Sequence, residues 1–249
     1  MIERHRRFVL PGLFVLLALA VLLGLGFWQL ERRTWKQNLV ADITHRLAGP
    51  PMDIPAPDSW RLLDRTNHEY RRVLFPAEFI HEQEAHIYTN GSPLRPDVKG
   101  NGYWVFTPAR LAGGSVVMVN RGFVPSDRKE PASRQEGQTA GVVDLVGVVR
   151  WPEERGLFAA KDDPRTNVWF TRDPIGMAVW HNISNAATFY VDLEAPTPPG
   201  QWPKPGPINV NLPNNHLQYA LTWFSLAGVL LVIFGIWAFG QGRSEVEPG

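Results

Sequence analysis

The chain has 249 residues, a formal net charge of +1 and no cysteine. The near-neutral charge argues against a nucleic-acid-binding protein, whose basic surface would be concentrated. The missing thiols exclude disulfides, thiolate metal sites, iron–sulfur clusters and cysteine nucleophiles together.

Residues 1–7 read as a short basic tail carrying Arg4, Arg6 and Arg7. Phe8 to Leu30 then runs for 23 residues without a charge. At about 1.5 Å per residue such a helix reaches roughly 35 Å, enough for a hydrocarbon core of about 30 Å. The run is too long for a signal-peptide core, and "GFWQLERR" offers no small-x-small cleavage site, so residues 8–30 read as an uncleaved membrane helix.

Residues 31–69 read as a helical extension and linker. Trp35, Leu39, Ile43 and Leu47 recur every four residues, and "AGPPMDIPAPDSW" then ends the helix with its prolines. Residues 70–212 alternate in the manner of strands: "RRVLFPAEF", "EAHIYTN", "GYWVFTP" and "SVVMVNRGFVP" joined by an "ARLAGG" hairpin, "GVVDLVGVVRW" with a glycine at a bulge, "NVWFTR" and "TFYVDL". "DPIGMAVWHNI" suits a short helix capped by Asp173 with Pro174 in its first turn. The expected fold is an α+β membrane protein. One mainly antiparallel β-domain, barrel or sandwich with short helices, lies between two transmembrane helices.

The second apolar run, Leu217 to Phe239, also has 23 residues and no charge; with its entry motif it makes residues 213–239 the second span, followed by a 240–249 tail. Two spans put both termini on one side. Arg4, Arg6 and Arg7 before the first span are balanced by Arg32, Arg33 and Lys36 after it. Long loops cross largely regardless of charge, which leaves the tails cytoplasmic and the β-domain outside.

Several motifs fail on geometry. The histidines of "HEQEAH", His81 and His86, are five apart and diverge by about 140° on a helix, or to opposite faces on a strand; they read as surface-loop residues. "GGSVV" lacks the spacing of a nucleophile elbow. Asp162, Asp163 and Asp173 read as loop residues in preference to a cation site. No catalytic set emerges, and the chain is not expected to be an enzyme.

Four stretches in this order, "GFWQLERRTWKQNLV", "GYWVFTPARLAGGSVVMVNRGFVP", "GVVDLVGVVRWPE" and "NNHLQYALTWFSLA", resemble the Surfeit-locus-one (Shy) family of cytochrome c oxidase assembly factors. The short basic start resembles a bacterial member. The chain departs from the family pattern at Phe123, where tryptophan is usual, and at Pro76 and Ala77, where a glycine is usual. The resemblance implies an inner-membrane protein with both termini cytoplasmic and a periplasmic β-domain. It also implies a chaperone-like role in maturing the haem–copper subunit of respiratory complex IV, with haem a as a transient cofactor. The expected partners are the lipid bilayer, that oxidase subunit and the enzymes of haem a synthesis, with no nucleic acid.

Beside that resemblance the entry motif has a physical reading. His216, Tyr219, Ala220 and Trp223 fall on one helical face, and Gln218, Thr222 and Ser225 form a polar face expected to turn towards protein or a head group. Trp28, Gln29, Arg32 and Arg33 should lie at the same membrane boundary. Ala20 and Gly24 offer a small-residue pair for close helix approach. A haem needs an iron ligand, an apolar wall and cations for its propionates. His216 supplies the ligand, Tyr219, Trp223 and Trp28 the wall, and Arg32 or Arg33 the cation. The same residues also fit an aromatic belt with Asn214 or Asn215 as a helix cap, which needs no cofactor. An interaction module without cofactor, or a membrane-anchored periplasmic enzyme of unknown class, are the competing functions.

Overall fold

The computed structural model describes residues 2–92, 95–156, 160–208 and 213–243. Met1 of the basic tail and residues 244–249 of the final tail lie outside the described residues, as does 209–212 of the segment leading to the second span. The chain divides into two compact units, Met1–Ala41 with Leu212–Gly249, and Asp42–Asn211.

The first unit is a helix pair. α1 (Ile2–Ala48) is unbroken, and α4 (His216–Arg243) is the last described element. Each is long and apolar enough to cross a membrane. Leu13, Phe14, Leu16 and Leu17 on α1 and Val229, Leu231, Val232 and Ile233 on α4 are exposed, a surface that belongs in lipid. The seam between them is built from Gly26 on α1 and from Ala220 and Ala227 on α4, all buried. A Cβ on Gly26 would lie 2.4 Å from the Phe224 ring, so only glycine fits. The Phe224 ring meets Phe27 edge-on, with centroids 5.4 Å apart.

This corrects the expectation for Ala20 and Gly24. Both are exposed, and Gly24 has no neighbour within 4 Å of a built Cβ. Gly24 and Gly26 are two residues apart, about 200° around a helix, so only one of them can face α4. Gln218, Thr222 and Ser225 are exposed on the opposite side of α4 from Ala220 and Ala227.

The second unit begins with the end of α1. Ile43 is buried there, Arg46 donates to the Glu69 carbonyl (3.0 Å), and Arg72 donates to Gly49 O (3.3 Å). Pro50 and Pro51 then stop the helix. The remaining elements are β1 (Met52–Asp53), α2 (Arg65–His68), β2 (Arg72–Phe79), β3 (Ala85–Asn90), β4 (Asn101–Arg110), β5 (Val116–Pro125), β6 (Val142–Arg150), β7 (Val168–Trp169), α3 (Pro174–Trp180) and β8 (Ala186–Ala195). α3 starts where its sequence dictates: the Asp173 carboxylate accepts from Gly176 N at 2.9 Å and Pro174 occupies the first turn.

Among the described residues the strands form one sheet in the order β1-β2-β6-β8-β5-β4-β3-β7, and β2 also pairs with β4. That last pairing, Glu78 with Arg110 and Phe79 with Ala109, closes β2, β6, β8, β5 and β4 into a small barrel. Most neighbours are antiparallel; β1 and β2, β3 and β7, and β5 and β8 run parallel. A register shift at Val146/Gly147 bends β6, and a side chain at Gly147 would strike the Asp192 carbonyl at 2.5 Å. One core, including Phe75, Val117, Val119, Leu145, Phe189 and Val191, draws on all five barrel strands. A second, including Ile87, Trp104, Phe123, Trp169, Met177 and Tyr190, packs β3, β7 and α3 onto β4, β5 and β8.

The "HEQEAH" expectation is overturned. His86 is 3% exposed and Glu84 4%, and His81 is partly buried. The start of β3 is buried on both faces, since Ala85, His86 and Ile87 are all covered, and Glu84 compensates His86 there, so the polar letters do not mark a solvated loop. The loop aspartates serve as local anchors: Asp162 accepts from Phe170 N (2.7 Å), Asp163 from Arg165 N (3.2 Å), and Asp173 caps α3.

Candidate functional site

The helix pair brings the two halves of the expected boundary together. His216 is the first residue of α4 and is half-buried. Its Nδ1 lies 2.7 Å from the Gln29 side-chain oxygen on α1. An amide oxygen only accepts, so Nδ1 carries the proton and donates. The Nε2 lone pair is therefore the free one. Among the described residues Nε2 has no hydrogen-bond partner. Histidine ligands to metals are commonly oriented in this way by a second hydrogen bond.

The same level is tied at two further points. Asn214 Nδ2 donates to the Arg33 carbonyl at 3.4 Å, and the Lys36 ammonium donates to the Pro213 carbonyl. Asn214 Oδ1 is buried without a partner. Gln29, Arg33 and Lys36 recur at i, i+4 and i+7, which is why one face of α1 meets the start of α4. Gln29 is the residue whose role the motif reading passed over, naming it only as a neighbour at the boundary.

The other candidates divide. Trp28 and Tyr219 are 50% and 55% exposed, and Trp223 is partly buried. Trp28 is one residue from Gln29, about 100° around the helix, so it flanks the seam and does not enter it. Arg32 lies over the Trp35 ring, 4.4 Å from its centroid. Arg33 is held through its carbonyl, and its side chain is partly buried. His216 is thus joined to α1 through Gln29, while Trp28, Arg32 and Tyr219 are exposed and Trp223 and Arg33 partly buried.

The β-unit explains the "VNRGFVP" stretch in structural terms. Asn120 donates to Asp192 Oδ1 (2.7 Å) and accepts from Gly122 N (3.1 Å). Arg121 points the other way. It lies over the Phe79 ring at 4.8 Å, donates to the Gly137 carbonyl and stands 3.7 Å from Glu84. Gly122, at φ +119°, lets the chain returning from β8 cross β5: a Cβ there would sit 2.0 Å from the Lys204 carbonyl. Phe123 and Lys204 exchange backbone hydrogen bonds at 3.1 and 2.8 Å.

Glu84 is the hub of a buried charge cluster. It accepts from Arg134 Nη1 (3.1 Å) and Nη2, and from His86 Nε2 (2.6 Å). Burial works to raise its carboxyl, but the hydrogen bonds from His86 and Arg134 hold it below the ordinary carboxylate value. Burial pushes the Arg121 guanidinium down to about 10; Glu84 works against this and the Arg134 cation with it. His81 receives Arg121 Nη1 on Nδ1 (3.3 Å) and donates from Nε2 to the Thr139 carbonyl (2.8 Å), which fixes it neutral. This cluster braces the domain and has no nucleophile.

The chain matches the model of the SURF1 family over residues 16–228, a span that holds both Gln29 and His216. The chain belongs to this family. Among curated relatives, mouse Surfeit locus protein 1 is 36% identical over 223 residues, covering 86% of this chain and 71% of the relative. Human Surfeit locus protein 1 is 36% identical over 215 residues, covering 82% and 69%. A SURF1-like protein of Monosiga brevicollis is 34% identical over 238 residues, covering 92% and 87%. SURF1 membership therefore extends from the first span through the β-unit to the start of the second.

Proposed function

We propose that this protein is an assembly factor for cytochrome c oxidase, which binds haem a at the helix pair and passes it to the haem–copper subunit. The observation that carries the reading is His216 with Nδ1 held by Gln29 and Nε2 left free. The donor set fits the group. A neutral imidazole with a fixed tautomer is a strong iron ligand. Trp28 and Tyr219 present half-exposed rings beside it, and Arg32 and Arg33 offer guanidiniums for carboxylates at the same boundary. Haem, when bound, supplies the redox centre of the client; the residues here only hold and orient it.

In this reading the protein works in a bacterial inner membrane with its tails cytoplasmic and its β-domain periplasmic. It receives haem a from the enzymes that make it. The membrane boundary is a sensible place for the exchange, because a haem there keeps its ring in lipid and its propionates in water.

The test is the absorption spectrum of wild type and His216→Ala, purified at matched concentration from cells that make haem a. Wild type should carry haem and His216→Ala should lose most of it while remaining inserted. A full complement with an unshifted spectrum in the variant would reject His216 as ligand. Haem-free wild type, together with a chromosomal deletion that still lowers oxidase activity per membrane protein, would leave an interaction module without cofactor. A reporter fused at Ser133 and active only in the periplasm reads the orientation; silence there with a working cytoplasmic reporter would invert it.

A further inference from the structure

A second charged cluster, distinct from the Glu84 hub, lies on the face of the sheet covered by α3 and the segment that follows β8. Arg95, Trp104, Asn120, Arg150, Arg172 and Asp192 line a small cavity there, with Gly206 at its wall. The guanidiniums of Arg95 and Arg172 both approach the Trp104 ring, 5.8 and 5.3 Å from its centroid. Arg150 enters from β6 and is 5% exposed; Arg95 is 7% exposed. Three cations thus converge on one void.

Their partners do not use them up. Arg95 is the saturated one: it grips Asp97 with two bonds of 2.9 Å and reaches the carbonyls of Lys204, Pro205 and Gly206. Arg150 donates Nε to Glu69 (3.4 Å) and Nη1 to Asp192 (3.1 Å). Arg172 donates Nη1 to Glu153 (2.9 Å). A guanidinium has five N–H groups, so among the described residues most of those on Arg150 and Arg172 find no acceptor. The Tyr190 hydroxyl, also buried and without a partner, belongs to the same neighbourhood: Tyr190 is the register partner of Arg150 on β8 and shares a face of that strand with Asp192. Burial raises the Tyr190 phenol above its ordinary value and keeps it an O–H donor. A hydroxyl left unsatisfied in an interior, as that of Tyr190 is, is costly.

Charge and size narrow what would satisfy them. Of the charged side chains that line the cavity, the three cations Arg95, Arg150 and Arg172 face one carboxylate, Asp192; their other partners, Asp97, Glu69 and Glu153, do not line it. The lining itself is predominantly cationic. The cavity holds about 20 Å³ of free volume, against roughly 10–15 Å³ for a single water. One or two water-sized groups fit, and a phosphate or a larger organic acid does not.

We propose that this cavity binds one small monovalent anion, a halide or the carboxylate group of a small acid, held by the free N–H groups of Arg150 and Arg172 against Trp104. Filling it ties β6 to the segment carrying Arg172 and to Arg95, which clamps the chain on its way to the second span.

Bromide is the probe, with acetate as the second arm. Crystals of the full-length protein soaked in bromide should give an anomalous peak bounded by Arg95, Arg150 and Arg172; acetate at equal ionic strength displaces it if the site accepts carboxylates and leaves it if the site is a halide site. In detergent, the thermal midpoint of wild type should rise with bromide, and Arg172→Gln should weaken the half-saturating concentration about tenfold or more, the scale of one charge-assisted bond. Arg172→Lys, which keeps the charge and loses the fork, should fall between. No peak in wild-type crystals, or the same bromide response in wild type and Arg172→Gln, overturns the proposal. The wild-type density decides the matter even if a variant does not fold.

Discussion

Gln29 and His216 stand 187 residues apart in the chain, and a single hydrogen bond of 2.7 Å joins them across two helices. Gln29 thereby selects which imidazole nitrogen is free. Replacing Gln29 with leucine removes the acceptor while roughly keeping the volume. The expected outcome is haem that still binds but about 10–100-fold more weakly, the usual cost of losing an orienting partner, with a shifted absorption band. Titration of the purified variant with haem measures both. Wild-type affinity and an unshifted band would show that Gln29 does not orient the ligand.

The seam predicts a size-dependent defect. Gly26→Leu should push α4 away, because even the first added carbon meets the Phe224 ring at 2.4 Å. The natural chain has no cysteine, so a pair introduced at positions 29 and 216 can be joined by a short bifunctional maleimide without background. Crosslinking should fall sharply with Gly26→Leu and recover when Phe224→Ala is added. Gly24→Leu, on the exposed side, should leave it unchanged.

The crossing at Gly122 should be intolerant of any side chain. Gly122→Ala combines an unfavourable φ of +119° with a clash against the Lys204 carbonyl. A loss of about 2–3 kcal/mol is expected from strain of this kind. Urea unfolding of the full-length protein in detergent, followed by tryptophan fluorescence, measures it. An unchanged midpoint would mean that the returning segment moves aside at no cost.

Acid should destabilise the β-unit in two stages. Burial first, and the neighbouring Arg121 second, hold His81 below its ordinary value of 6.5, so its contribution is complete above about pH 6.5 and is lost as pH falls through the folded value. His181, lowered by burial, adds to the same window. Glu84 is held below 4.5, so its contribution is complete above about pH 4.5 and lost below it. Thermal midpoints scanned from pH 8 to 3 should show both declines. His81→Gln should flatten the upper one in part. Glu84→Gln should cost about 3–5 kcal/mol even at pH 7, since it leaves two guanidiniums buried without their carboxylate.

The parts of the fold that follow local rules were readable from residues alone. Uncharged runs marked the spans, the Asp173–Pro174 pair marked the start of α3, and the glycine in "GVVDLVGVV" marked the bend in β6. The failures all required a second element. Ala20 and Gly24 look like a packing pair until the facing ring, Phe224, fixes the rotation of α1. His86 looks solvated until Arg134, from a loop 48 residues later, supplies its surroundings. The importance of Gln29 was hidden for the same reason: an amide beside a membrane boundary is unremarkable until the histidine opposite it is placed. Charge clusters such as Arg95, Arg150 and Arg172 are scattered through the chain and leave no local pattern.

The triplet Asn120–Arg121–Gly122 faces three directions and serves three neighbours: the Asp192 pair, the Glu84 hub and the backbone of Lys204. For genetics this separates two kinds of damage. A substitution in the triplet should reach the cell as scarce protein, cleared before it meets a client, and would be relieved by lower growth temperature or by a stabilising second-site change. A substitution at His216 should leave abundance intact and resist both remedies. Immunoblot level therefore belongs beside activity whenever variants of this chain are ranked.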